Sequence, residues 1–134
     1  MIATHLTPEE WTPFAPLAMR AVFGEKSSSE PQIVSGAYLF EEDEKPFGFL
    51  TYLLESDSSV YFPHLGVVEN VRGSSKIVSL FSAILHSFGE YSTIRAQIYA
   101  NNPSCMRVAL KFGFQVTGCH KVDEKVIVEL ERKS

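Results

Sequence analysis

The sequence predicts a mixed α/β or α+β domain, one sheet layered with helices. Two observations carry that prediction. Segments of alternating and helix-period hydrophobicity follow one another as β, α, β, β, β, α, β, α, β, β without an internal repeat, an order that fits one sheet with packed helices. The 134 residues, 45% hydrophobic and 21% charged, suit one domain over residues 1–134, because a chain of that length buries roughly two thirds of the surface its unfolded state exposes.

Met1 to Leu6 reads as a first strand, and Thr7-Pro8-Glu9-Glu10 signals a helix start: a Thr cap, Pro at the first position, acids in the first turn. Pro13 and Pro16 forbid one straight helix, so the stretch to Phe23 is a kinked helix or two short ones, ended by Gly24. Lys26 to Pro31 has the composition of a loop. Gly36–Phe40 and Phe47–Leu54 read as strands of a hairpin around the acidic turn Glu41 to Pro46. Val60 to Val68 is a third β-rich run in which Pro63 and Gly66 predict a bulge or local splay. Ile77, Leu80, Phe81, Ile84, Leu85 and Phe88 recur with a helix period that ends at Gly89. Thr93 to Ala100 alternates as a strand with one buried face, and Asn101-Asn102-Pro103 caps a helix closed by Gly113. Phe114–Val122 and Lys125–Leu130 complete the sheet around a tight Asp123-Glu124 turn.

Composition narrows the function. A formal charge of −4 disfavours a protein that blankets nucleic-acid phosphates, and the basic tail Glu131-Arg132-Lys133 is too short to reverse that. No apolar run is long enough to span a bilayer, and the start MIATHLTPEEW has neither the basic nor the apolar region of a secretion signal, so a cytoplasmic location is expected. Two cysteines, Cys105 and Cys119, neither staple a fold of this size nor form a zinc pattern, and no metal is expected. The charge is uneven: residues 1–66 carry ten acids against three bases, a net of −7, and residues 67–134 six acids against nine bases, a net of +3. A solvated Glu41 to Lys45 turn explains much of that. The sharper reading is an acidic side for a cationic acceptor and a basic side for an anionic ligand.

Chemistry is concentrated where the third β run leads through Glu69-Asn70-Val71-Arg72-Gly73-Ser74-Ser75-Lys76 into the strongest helix. A helix N-terminus offers unpaired N–H groups and partial positive charge, Gly and Ser allow close approach to the backbone, and Arg72 and Lys76 add full charges, so an anion could dock there. Serines at a helix start also serve as plain caps.

The strand-loop-helix followed by a strand, an Asn-capped helix and Gly113-Phe114 resembles the GNAT family of N-acetyltransferases over nearly the whole chain. Leu65 to Ile77 looks like that family's pyrophosphate loop, and Asn102 to Phe114 like its second signature. The resemblance implies a mostly antiparallel central sheet, splayed at the fourth strand and flanked by helices. It also implies acetyl-CoA as co-substrate, held by Leu65, Gly66 and Val67, by Arg72, Gly73, Ser74, Ser75, Lys76 and Ile77, and by Asn102 near the thioester.

Three positions depart from the family pattern. Ser75 and Ile77 stand where the loop ordinarily has small residues, and Ile77, being β-branched, is expected to crowd a pyrophosphate. Ala109 stands where many members carry a Tyr that protonates the leaving thiolate. The remaining catalytic candidates are His64 as base, Glu69 as a second carboxylate, and Ser104 or Tyr99 in place of the absent phenol. Each has a plainer reading: a packed histidine, a solvated acid, a helix first-turn serine. Cys105, on the apolar stripe with Val108 and Phe112, reads as an inert core thiol. The implied function is direct acetyl transfer to a primary amine, a small cationic one or a protein Lys or N-terminus. The alternative is a weak or inactive member of the fold that serves as a CoA-binding or protein-interaction module. A homodimer is compatible with either.

Overall fold

The computed structural model describes residues 2–23, 34–68 and 75–133. The elements are β1 (Ile2–Leu6), α1 (Pro8–Trp11), α2 (Ala15–Phe23), β2 (Gly36–Glu42), β3 (Lys45–Leu54), β4 (Ser59–Val67), α3 (Ser75–Ser87), β5 (Thr93–Tyr99), α4 (Pro103–Lys111), β6 (Gln115–Val122) and β7 (Lys125–Lys133). Gly24 and the Lys26 to Pro31 stretch lie outside the described residues.

The prolines divide the first helical region in two. Thr7 caps α1 through a reciprocal box: its hydroxyl accepts the Glu10 N–H at 3.3 Å, and the Glu10 carboxylate accepts the Thr7 N–H at 3.1 Å. The β2–β3 turn is tighter than the acidic stretch suggests, because Asp43 and Glu44 both take positive φ, 52° and 66°. Two such residues make a turn whose twist matches the strands, so Glu41 and Glu42 pair with Pro46 and Lys45. The acidic cluster is therefore a hairpin tip.

All seven strands form one mixed sheet in the order β1-β2-β3-β4-β5-β7-β6. Among the described strands only β4 and β5 run parallel, which requires the crossover that α3 supplies. The sheet has an apolar cluster on each face. On one, α3 and α4 cover Phe40, Leu50, Phe62, Leu65, Ile98 and Leu130. On the other, Trp11 of α1 and Ala18 and Met19 of α2 pack with Leu6, Ala37 and Phe49. Alternation along β2 and β3 sorts these residues, with Phe40 and Leu50 facing one way and Ala37 and Phe49 the other.

Candidate functional site at the β4–β5 splay

The register of the parallel pair ends early. β4 and β5 are matched from Ser59↔Thr93 to Phe62↔Ala96 and no further, while β4 runs on to Val67 against β3 and β5 to Tyr99 against β7. The strands part after Phe62, at Pro63, which has no N–H to give to a ladder. The β3–β4 register also slips here, from Thr51↔His64 to Leu53↔Tyr61, so the predicted irregularity is both a bulge and a splay. β3 holds the detached half of β4 closely. A side chain at Gly48 would come within 2.6 Å of the Gly66 carbonyl, and the Val68 N–H donates to the Phe47 carbonyl at 2.7 Å.

The second half of β4 carries Leu65, Gly66 and Val67, all buried. The Leu65 and Val67 side chains face α3 and α4 and, with Phe81, Cys105 and Val108, line a small apolar void. Ile77 belongs to the same wall. It is 8% exposed and packed in the core with Leu80 and Phe81. Its side chain, at the third residue of α3, thus faces the sheet and is part of the core. Ser75 and Lys76 open α3, their side chains outside the described part; Glu69, Arg72, Gly73 and Ser74 lie outside the described residues.

Across the splay, Asn102 caps α4. Its side-chain oxygen accepts the Cys105 N–H at 3.4 Å, and its backbone N–H donates to the Tyr99 carbonyl at 3.0 Å. The side chain is only 2% exposed, yet among the described residues its Nδ2 has no hydrogen-bond partner. An unpaired buried donor costs about 1–3 kcal/mol, and native structures rarely leave one unless a ligand or water completes it. Ser104, the second residue of α4, is half-buried, and Cys105 is 2% exposed in the core. Ala109 is 1% exposed in the same cluster, so the position is core, and a Tyr there would overpack it.

His64 lies on the opposite face of β4, at a tilt 6.5 Å from the Phe49 ring. Its Nδ1 is 3.0 Å from the hydroxyl of Thr51, its cross-strand partner, which is fully buried. Burial pushes its pKa down to about 4. A neutral imidazole of that basicity has little drive to take a proton at neutral pH, since a general base works best with a pKa near the operating value. The structure brings His64, Leu65, Gly66, Val67, Asn102 and Ser104 to the two arms of the splay, with His64 facing away from α3 and α4. Thr51 went unremarked in the sequence; its signal was a small aliphatic hydroxyl inside the otherwise apolar and aromatic run Phe47 to Leu54. A polar surface also escaped notice. On that same face Tyr61 hydrogen-bonds Gln97, while Arg95 lies 4.7 Å over the Tyr61 ring and pairs with Glu55 at 2.8 Å. Tyr99 sits at the end of β5, half-buried, its phenol pKa raised by burial.

No protein-family model and no curated protein sequence matches the chain. Solved structures do. An IAA acetyltransferase from Bacillus cereus superposes with TM-score 0.69 at 12% identity, covering 99% of each chain. A spermidine N-acetyltransferase chimera from Vibrio cholerae and hSSAT gives 0.68 at 10% identity, covering 99% of this chain and 96% of that one. A Bacillus anthracis protein assigned as a streptothricin acetyltransferase, solved with acetyl coenzyme A, gives 0.58 at 14% identity over 77% of this chain and 64% of its own. At these identities the likeness establishes the fold: this chain has the GNAT fold, a seven-stranded mixed sheet flanked by four helices.

Proposed function

We propose that this chain is an acetyl-CoA-dependent N-acetyltransferase that passes the acetyl group directly to a primary amine. The observation that carries the reading is the buried, unpaired Nδ2 of Asn102 beside the splay. An amide or thioester carbonyl in the splay would accept from it. Leu65, Gly66 and Val67 lie beyond the last β4–β5 register pair, where an extended amide-bearing arm would run along β4, and the loop from Arg72 to the backbone of Ile77 would hold a pyrophosphate. The bound co-substrate supplies the activated acyl group. The chain's own contribution is to hold that group, exclude water with Leu65, Val67 and the α3–α4 core, and leave the acceptor nitrogen neutral.

His64 in this reading positions β4 through Thr51, and the acceptor nitrogen loses its proton to solvent or a held water. Ser104 and Tyr99 are the hydroxyls near the α4 cap from which the departing sulfur can take a proton, and Glu69 is a carboxylate on the preceding loop. The charge balance of residues 1–66 favours a cationic amine, either a small molecule or a protein Lys or N-terminus, although the hairpin tip accounts for four of its ten acids. No described helix is long and apolar enough to cross a membrane, and two free cysteines suit a reducing compartment such as the cytoplasm. A homodimer is compatible with this reading and is not required by it.

The burial of Ala109 favours a second reading, a CoA-binding or protein-interaction module in which transfer is slow or lost. Calorimetric titration with acetyl-CoA, followed by thiol release across a panel of amines, separates the two. Binding with amine-dependent release supports the enzyme, binding without release supports the module, and no heat from the folded protein removes both.

A further inference from the structure

The C-terminal half of α3 borders a cleft of about 270 Å³. Leu85, Phe88, Ile94 and Phe112 supply its apolar walls. Four polar side chains, those of Ser82, His86, Tyr91 and Arg132, also line it, and none of the lining residues is acidic. Arg132 belongs to the basic tail that sequence reading set aside. In the sheet it is the register partner of Ile94, so its side chain faces α3, whereas Glu131 and Lys133 lie on the opposite face and pair with each other at 3.5 Å. Arg132 is half-buried as a residue, and among the described residues its guanidinium has no ion-pair or hydrogen-bond partner.

Position alone would argue against an anion here, since a helix C-terminus carries partial negative charge. Four carbonyls at that end are already engaged. Those of Leu85, His86 and Phe88 accept from the N–H groups of Phe88, Gly89 and Tyr91 at 3.0–3.1 Å, and that of Ile84 accepts from the Ser87 hydroxyl at 2.6 Å. What remains facing the cleft is a full cation at one end, hydroxyl and imidazole groups around it, and aromatic and aliphatic surface. A planar guanidinium binds a carboxylate by two parallel hydrogen bonds, and a volume slightly under the usual range for ligand pockets admits a compact apolar body.

We propose that this cleft binds a small amphipathic monocarboxylate, its carboxylate on Arg132 and its apolar body against Leu85, Phe88 and Phe112. The cleft's wall residue Ile94 pairs with Val60 inside the β4–β5 ladder, whereas the splay opens beyond the last pair, Phe62↔Ala96, so the cleft and the splay lie on opposite sides of that pair.

The test uses 3-phenylpropionate as probe and its neutral amide as control, followed by ¹H–¹⁵N spectra of the full chain. The acid should shift the amides of Gly89, Tyr91 and Arg132 saturably, the neutral amide should bind at least about tenfold more weakly, and acetyl-CoA should not displace the probe. Arg132→Gln should weaken the acid at least about tenfold. Ser82→Trp, at an exposed helix position, should block the cleft with the fold intact, and it decides the matter should Arg132→Gln fail to fold. Equal binding of acid and amide, shifts confined to residues of the splay, no saturation by about 20 mM, or unchanged affinity in both variants would each overturn the assignment.

Discussion

On the β4 side of the splay the buried polar side chain is Thr51, fully enclosed, with its hydroxyl 3.0 Å from Nδ1 of His64. On the β5 side it is Asn102, 2% exposed, with one end of its amide on the Cys105 N–H and the other end unpaired. Both sites bury polar atoms beside the same parting of two strands. They differ in whether the chain itself completes the hydrogen bonding. A completed pair fixes cross-strand geometry and belongs to the fold, whereas an incomplete one is the place where something from outside the chain lowers the free energy most. That difference separates His64 and Thr51, which satisfy each other, from Asn102, whose amide nitrogen the described residues leave unpaired.

The largest effect should come from breaking the completed side. His64→Ala leaves the Thr51 hydroxyl buried without a partner and a void beside Phe49, together about 3 kcal/mol and a fall in Tm of about 10 °C. Thermal unfolding measures it. A fall in kcat/KM of a hundredfold at unchanged Tm would instead return His64 to the role of base.

Almost as large is the pH effect of the same group. With the folded pKa near 4 against an ordinary 6.5, both states are neutral above about pH 6.5 and His64 contributes its full share to stability there. As pH falls from 6.5 toward 4 only the unfolded chain takes up the proton, so stability declines by up to about 3 kcal/mol, and below pH 4 this group adds no further loss. Denaturant midpoints across pH 4–7 should show that decline in the parent chain, and a flatter profile in His64→Gln. Parallel profiles would mean that the imidazole titrates normally.

The incomplete side should respond in binding. Asn102→Ser keeps an oxygen to cap α4 and removes the Nδ2 donor, so acetyl-CoA should bind about tenfold more weakly with Tm nearly unchanged. Unchanged affinity with raised Tm would show that the donor is merely unsatisfied.

The difference also explains what could be read from the sequence. The element order, the Thr7 and Asn102 caps and the irregularity at Pro63 were legible because each is a local signal written in two or three adjacent residues. The division at Pro13 and Pro16 was left between a kink and two helices, and the structure makes it two. The burial of Ile77 was not legible, because a resemblance places a residue in a loop without saying which way it faces; at position three of α3 its side chain packs into the core. Ala109 was legible as a departure, yet it is buried in one cluster with residues such as Phe81 and Leu130, which are distant in sequence. The Thr51–His64 pair is a cross-strand contact set by a register shift that no local pattern encodes. The cleft at Arg132 needs the register of β7 against β5, again long-range.

The smallest expected effect sharpens the comparison furthest. Thr51→Val leaves the His64 ring nitrogen without its hydroxyl, and His64→Leu leaves the hydroxyl without its nitrogen, so each single variant should lose about 1–3 kcal/mol. Together they replace two mutually satisfied polar groups by apolar ones of similar reach, in a face already lined by Phe49 and Trp11. The double variant should therefore lose less than about 1 kcal/mol, less than either single one, giving a coupling energy opposite in sign to the single losses. Chemical denaturation of all four proteins closes the cycle. Additive losses would show that the two side chains contribute separately, and the contrast with Asn102 would then rest on burial alone.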